Sequence, residues 1–313
     1  MAKRSPFFGL GLTVLAYCAL WLLVPRAVFI VHAGNSIDAA LSHARGLEAL
    51  LLLAAGGLMF ALPTAAFMAA QIGIIYFFAR FRMNWRQSLI ILVGSVAAAW
   101  GLLALAIWQT GHVAALHGFP TLREQIVLLS MYHGILKLPI TLLLISAASS
   151  IGCMVSQAIK DRNLLLPVVM FAACIDFWTV NFGPVNTVLN RAPEVARAVS
   201  VPIPQAGDAT LRLAPTIGPG DFVFMALVFA VVHKLGMNAR RNFKLVLALM
   251  TLGMLAVLFI PTLPYLPALM VLAVAVVAGN WREFKLTRQE KISTAVVGAL
   301  LAVSLPVVWY VLK

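Results

Sequence analysis

Long apolar runs separated by short polar connections form the pattern of this sequence from one end to the other. A helix needs about 20 mostly apolar residues to cross the hydrocarbon core of a bilayer. On that criterion the pattern predicts nine membrane spans, at approximately residues 8–23, 47–81, 89–109, 139–159, 163–182, 218–235, 243–260, 263–279 and 292–312. The sequence therefore predicts an all-α polytopic membrane protein with about nine transmembrane helices.

The second apolar run, residues 47–81, is too long for one helix that crosses the bilayer perpendicular to its plane, and Pro63 lies in its middle. One interpretation is a single kinked or tilted span. The other is a tight hairpin of two short spans, which would reverse the orientation of the N-terminus. Because no polar turn residues divide the run, the pattern favours the single span.

Composition agrees with a membrane protein. The chain has 313 residues, of which 62% are hydrophobic and 11% are charged, and its mean hydropathy is +0.98. These values lie outside the range of soluble domains. The formal net charge of +13 comes from Lys and Arg in the short connections, whereas a nucleic-acid-binding protein carries such charge on one folded face. We expect contact with the lipid bilayer and none with nucleic acid.

The basic residues also predict an orientation, because short cytoplasmic loops are enriched in Lys and Arg. With nine spans, all five basic groups fall on one side of the membrane. These groups lie within residues 3–4, 80–86, 160–162, 234–244 and 282–291. The N-terminus is then cytoplasmic and the C-terminus external. The compact loops suggest a bacterial plasma membrane.

Two acidic residues stand out from this pattern. The chain has ten Asp and Glu residues, and only Asp176 and Asp221 lie well inside predicted spans. An ionised carboxylate in the hydrocarbon core costs at least about 2.5 to 3.5 kcal/mol, so an acid in this position indicates a functional site. The predicted topology places both acids in the outer half of consecutive antiparallel helices. We therefore expect them to face each other at similar depth.

Such a pair has a specific chemistry. Two carboxylates about 3 Å apart cannot both ionise cheaply, so the pair holds one shared proton. The ionised member can take a proton from water while the protonated member polarises a carbonyl group. This arrangement suits peptide hydrolysis. Which acid carries the proton at rest is left open, because the two titrate as one unit.

Two irregular stretches accompany the acids. Gly218, Pro219 and Gly220 directly precede Asp221, and two glycines around a proline predict an unwound segment that another chain can approach closely. The second stretch contains three prolines within residues 261–267 and continues as Pro267-Ala268-Leu269. Exposed backbone at membrane depth is tolerated only against protein or a water-filled cavity. The predicted topology places this stretch in the same leaflet as the two acids.

These motifs resemble those of the presenilin and signal peptide peptidase family of intramembrane aspartyl proteases. Gly218-Pro219-Gly220-Asp221 is similar to the family's Gly-x-Gly-Asp motif, Asp176 to the aspartate of its preceding helix, and Pro267-Ala268-Leu269 to its Pro-Ala-Leu motif. The resemblance implies a presenilin-like helical bundle in a distant prokaryotic member. It also implies that Asp176 and Asp221 are catalytic and that Pro267, Ala268 and Leu269 contact the substrate.

The resemblance covers residues 163–280, which we take as the catalytic core. Residues 1–162 would form about four N-terminal spans and residues 281–313 an additional C-terminal helix. The chain departs from the family at Ile175, where the family usually has Tyr, and at Pro219, where a larger apolar residue is common. The predicted outward direction of the Asp176 helix is similar to that of signal peptide peptidases and implies type II membrane proteins as substrates.

Other functions are compatible with the same residues. A transporter or channel could use the two carboxylates to carry protons or cations. A prepilin-type peptidase also has Gly-x-Gly-Asp, but it places a Lys shortly afterwards, where this chain has Phe222-Val223-Phe224. A catalytically inactive scaffold is a further alternative. We expect no metal and no cofactor, and the expected partners are transmembrane helices of substrate proteins. The alternating residues 209–214 could form a strand that pairs with substrate, or a solvated linker.

Overall fold

The structure, a computed structural model, describes residues 5–27, 32–33, 36–37, 39–40, 43–111, 136–181, 183–191, 200–202, 216–259 and 267–312. This part of the chain is almost entirely helical. Its principal elements are α1 (Pro6–Leu23), α2 (Leu47–Ala79), α3 (Trp85–Gly111), α4 (Lys137–Ser156), α5 (Leu165–Asn181), α6 (Pro184–Arg191), β1 (Val201–Pro202), β2 (Thr216–Ile217), α7 (Pro219–Lys234), α8 (Ala239–Phe259), α9 (Ala268–Asn280) and α10 (Arg288–Leu312).

The all-α class predicted from the sequence is confirmed, and a helix lies at the position of each predicted span. Residues 47–79 form one continuous helix that includes Pro63, so the single-span interpretation is correct for the second run. Within the described ranges, four helices, α1 to α4, are long and apolar enough to cross a membrane. Several long apolar helices therefore identify a membrane protein.

The eighth predicted span differs from the structure. We expected residues 263–279, but α9 begins only at Ala268 and has 13 residues. At about 1.5 Å per residue it is about 20 Å long, which is shorter than the hydrocarbon core of about 30 Å. Proline fixes φ and has no N–H to donate, so Pro267 takes the N-cap position and the helix starts after it. The preceding residues 260–266 lie outside the described ranges.

Helix α7, which starts just before Asp221, lies at the centre of the bundle. It packs against α4, α2, α8 and α9. Its middle section is almost fully enclosed: the exposed fraction is 0% at Met225, Val228, Phe229, Val231 and Val232. The position of Asp221 is therefore set by a helix whose middle section is enclosed by four others.

The contact between α4 and α7 depends on a glycine. A Cβ atom added to Gly152 would collide with the carbonyl oxygen of Val223, and it would lie only 2.8 Å from both Ala226 Cβ and Leu227 N. Ser149 and Ser150, on the same stretch of α4, are fully buried. Small residues of this kind allow membrane helices to approach backbone to backbone. Gly152 thus fixes α7 two residues beyond Asp221.

The basic connections between helices meet at one end of the bundle. Arg82, in the α2–α3 connection, donates to the carbonyl oxygen of His233 near the end of α7 at 2.8 Å. Arg162, in the α4–α5 connection, donates through Nε and Nη2 to the carbonyl oxygen of Leu235 at 3.1 and 2.8 Å. We refer to this side as the basic end. The bonds hold the ends of α2, α4 and α7 together.

Helices α8 and α9 are joined by a reciprocal pair of amides. Asn242 Nδ2 donates to Asn280 Oδ1 at 2.8 Å, and Asn280 Nδ2 donates to Asn242 Oδ1 at 2.7 Å. Both side chains have an exposed fraction of 0%. Each Nδ2 also donates to a backbone carbonyl one turn earlier in its own helix. The pair sets how far α9 is shifted along α8, and therefore where α9 begins.

The close contact at Gly152 generates the first prediction. Gly152→Ala should destabilise the protein by about 1 to 3 kcal/mol, because the added methyl group meets backbone rather than a movable side chain. Gly101→Ala is the matched control, since its added Cβ would have no neighbour within 4 Å. Thermal unfolding in detergent should show a lower midpoint for Gly152→Ala alone. Equal midpoints would contradict the assigned contact.

The amide pair generates a second prediction. Asn280→Leu leaves the Oδ1 atom of Asn242 buried without its donor, and Asn242→Leu does the same to Asn280. Each single variant should lose about 1 to 3 kcal/mol of stability, whereas the double Leu variant should lose less than the sum. Denaturant unfolding of the four proteins measures this coupling. Additive losses would show that the two amides act independently.

Candidate active site

Asp221 is held at the start of α7 by its own helix. Gly218 is the N-cap residue, with extended backbone at φ −68° and ψ 151°, and Pro219 follows in the first helical turn. The Oδ2 atom of Asp221 accepts the backbone N–H of Gly218 at 3.2 Å. In a capping box, the side chain of the third helical residue accepts the backbone N–H of the N-cap residue, as Asp221 does here. Proline at the first helical position costs no hydrogen bond.

The irregular segment before Asp221 is shorter than we predicted. Pro219 and Gly220 already belong to α7, so only the chain up to Gly218 is extended. The reason is that the fixed φ of proline suits a first helical turn as well as a break. Gly220 is exposed, and no described residue lies within 4 Å of a Cβ atom added there. The described part of the chain therefore leaves the backbone beside Asp221 uncovered.

A short strand pair leads directly into this segment. Val201 pairs with Ile217 and Pro202 with Thr216 in antiparallel register, immediately before Gly218. Val201 and Ile217 are almost fully buried, with exposed fractions of 1% and 3%. The pairing fixes the extended path of the chain as it reaches α7. The strand predicted at residues 209–214 lies outside the described residues.

Asp176 lies in α5 and is bonded to a different helix. Its Oδ2 atom accepts the backbone N–H of Leu269 at 2.9 Å. Leu269 is the second residue of α9, after the N-cap residue Pro267 and Ala268. The first N–H groups of a helix have no partner within that helix. Asp176 therefore satisfies one of these donors and holds the start of α9 against α5.

Helix α9 connects the helices that carry the two acids. It packs against both α5, which contains Asp176, and α7, which has Asp221 in its first turn. Asp176 is 11 residues from Leu165 and Asp221 is 13 residues from Lys234, both at the basic end. These separations correspond to about 16 and about 20 Å along the helices. The acids thus lie at similar depth, away from the basic end.

Two of the predicted groupings are formed: Asp221 is bonded to Gly218, and Asp176 is bonded to Leu269. Gly218, Pro219 and Gly220 form the start of α7, and Pro267, Ala268 and Leu269 form the start of α9 beside Asp176. Both acids are partly exposed. Among the described residues, no bond is formed by Oδ1 of either acid. Each acid thus uses one carboxyl oxygen for a backbone bond and has the other without a partner in this part of the chain.

Two further features bear on the site. Gly152 was not predicted from the sequence. The run of small residues around it, in an otherwise bulky apolar segment, could have indicated a close contact between helices. Within the described ranges, no group of three or more His, Cys, Asp or Glu side chains comes together as a metal site would need. Two cavities, of about 560 and 540 Å³, are lined by residues near the basic end and not by the acids.

In comparisons with known proteins, no family model matches this chain, and no curated protein or solved structure matches it either. The resemblance to presenilins and signal peptide peptidases therefore rests on the three sequence motifs alone.

Proposed function

We propose that this protein is an intramembrane aspartyl protease that hydrolyses peptide bonds within or near transmembrane segments of other proteins. The observation that carries the proposal is the hydrogen bond from Leu269 N–H to Asp176, which joins the Pro-Ala-Leu segment to the first acid beside Asp221. The membrane spans number nine in this proposal. The site lies in the half of the membrane away from the basic end.

The chemistry follows from two carboxyl groups that share one proton. The ionised acid removes a proton from a water molecule, whose oxygen then attacks the carbonyl carbon of the substrate. The other acid donates its proton to the carbonyl oxygen, which gives a neutral tetrahedral diol. Collapse of the diol breaks the C–N bond: the acid that took the proton from water gives it to the departing nitrogen, and the other acid takes a proton from a diol hydroxyl as the carboxylic acid product forms. We assign these proton transfers to the Oδ1 atoms of Asp176 and Asp221, which have no hydrogen-bond partner among the described residues.

The surroundings of Asp176 support a substrate that arrives through the membrane. Three large side chains near it on α5 remain exposed, by 47% at Phe171, 40% at Ile175 and 39% at Phe177. In a bilayer this surface faces lipid or another helix. A substrate helix must also unwind before hydrolysis, because a regular helix protects its amides with internal hydrogen bonds. The extended backbone at Gly218 and the open face of Gly220 provide space for an unwound segment.

Ion translocation is the competing function for two membrane carboxylates. The bond between Asp176 and the start of α9 favours the protease, since it places the Pro-Ala-Leu segment at the acids. Proton and cation flux in proteoliposomes separates the two functions. Ion flux that persists with a hydroxyethylene inhibitor of aspartyl proteases, together with no peptide cleavage, would favour the transporter.

Replacement of either acid tests the proposal. Asp176→Asn and Asp221→Asn should each reduce cleavage of a membrane-embedded reporter helix by at least about 10²-fold, because neither amide can exchange the proton. Asp161→Asn is the matched control, since Asp161 is exposed near the basic end. Purified variants in proteoliposomes, with products identified by mass spectrometry, give the measurement. Undiminished cleavage by either active-site variant would remove that acid from the mechanism.

The role of the Leu269 N–H is tested by removing that donor alone. Leu269→Pro has no N–H and places proline in the first turn of α9, where it is tolerated. Leu269→Ala keeps the donor and removes most of the side chain. We expect Leu269→Pro to lower kcat at least about tenfold beyond Leu269→Ala, because Asp176 loses the bond that positions it. If the two variants have equal kcat values, the side chain of Leu269 matters and the bond does not.

A further inference from the structure

A second site is formed at the basic end of the bundle, remote from the two acids. Three connections surround a cavity of about 560 Å³: those between α4 and α5, between α7 and α8, and between α9 and α10. Arg162, Arg282 and Lys285 contribute the positive charges of its lining, and Asp161 and Glu283 contribute negative ones. The proposed catalytic function does not use any of these residues.

The walls of this cavity are bonded to one another. Arg162 holds the end of α7 through the carbonyl oxygen of Leu235. Asn163 donates to the carbonyl oxygen of Lys285 and accepts its backbone N–H, both at 3.1 Å. Asn238 N–H donates to Glu283 Oε1 at 3.1 Å. These bonds cross between all three connections, so the cavity belongs to the fold.

Both acidic side chains in the lining accept backbone hydrogen bonds, whereas two of its three basic side chains have no partner among the described residues. Asp161 accepts the backbone N–H of Asn163 at 3.0 Å, and Glu283 accepts that of Asn238. Among the described residues, neither the guanidinium group of Arg282 nor the ammonium group of Lys285 has a hydrogen-bond or ion-pair partner. Both side chains are exposed. The cavity therefore offers two uncommitted cations beside acids that are occupied by backbone donors.

The cavity also lies where lipid headgroups would be. Trp281, which follows the last residue of α9, is 70% exposed. Exposed tryptophan at the end of an apolar helix is typical of the membrane interface. Basic pockets between membrane helices on the side rich in Lys and Arg bind anionic headgroups. Arg282 follows Trp281 directly and Lys285 lies four residues after it, so we expect their charges near the phosphates of the lipid headgroups.

We propose that this cavity binds the phosphate group of an anionic phospholipid, with Arg282 and Lys285 as its ligands. A phosphate offers several acceptor oxygens and a negative charge to the two cations. Inorganic phosphate has the same chemistry and would use the same residues. A bound headgroup would tie the α9–α10 connection to the membrane, at the far end of the helix whose start contacts Asp176.

The test uses the full chain with phosphatidylglycerol, phosphatidylcholine and inorganic phosphate as probes. Lipid retention is measured by native mass spectrometry, and thermal protection is measured in detergent. We expect phosphatidylglycerol to bind more tightly than phosphatidylcholine. The variant Arg282→Gln with Lys285→Gln should weaken phosphatidylglycerol binding about tenfold. The control pair, Arg86→Gln with Lys291→Gln, removes two exposed charges outside the cavity and should change binding by less than about threefold.

Each outcome decides the proposal. Equal weakening by both pairs would show attraction to surface charge in general and would overturn the site, as would no weakening by the cavity pair. Protection by inorganic phosphate alone, lost in the cavity pair, would keep the phosphate site and identify free phosphate as its source. The unfolding midpoint without ligand checks that each variant folds. None of these measurements depends on proteolysis, so the site and the protease proposal can fail separately.

Discussion

One hydrogen bond, from the Leu269 N–H to the Asp176 carboxylate, connects the elements on which the proposed function depends. A carboxylate in a membrane helix needs polar partners, and the first turn of a helix has N–H groups without acceptors. The Leu269 N–H gives the Asp176 carboxylate a donor, and the carboxylate gives that N–H an acceptor. The bond therefore places the start of α9 beside α5, and α9 in turn contacts α7 and Asp221.

Other contacts maintain this geometry, both near Asp221 and at the basic end of the helices. Gly152 permits backbone contact between α4 and α7, and the Asn242–Asn280 pair sets the position of α9 along α8. The basic connections then fasten the helix ends to one another. Rigid positioning matters because acid and base groups act only within hydrogen-bond reach of the reacting atoms. Among the described residues each acid has one oxygen without a hydrogen-bond partner, and both acids are partly exposed, as a hydrolytic site requires.

Much of the fold followed from the sequence because the need to bury or shield backbone in lipid leaves few options. Uninterrupted apolar runs predicted the helices, and the missing turn residues in 47–81 predicted one helix instead of two. The start of α9 could not be placed from hydropathy, since apolar residues lie on both sides of Pro267. Likewise, α7 is as apolar as its neighbours, so nothing in its composition showed that it would be innermost. In the sequence, Asn242 and Asn280 look like ordinary residues at helix ends, and only the structure shows that they are hydrogen-bonded to each other.

The two acids were easier to identify from the sequence than the residues that hold their helices in place. An acid inside an apolar run is rare enough to be noticed alone, whereas Gly152 has meaning only opposite a particular backbone. The most direct measurement is an experimental structure of the protein with a hydroxyethylene peptide inhibitor. The account predicts that the inhibitor hydroxyl lies within about 3 Å of an oxygen of Asp176 and of an oxygen of Asp221. An inhibitor bound elsewhere, or one that contacts only one of these acids, would contradict it.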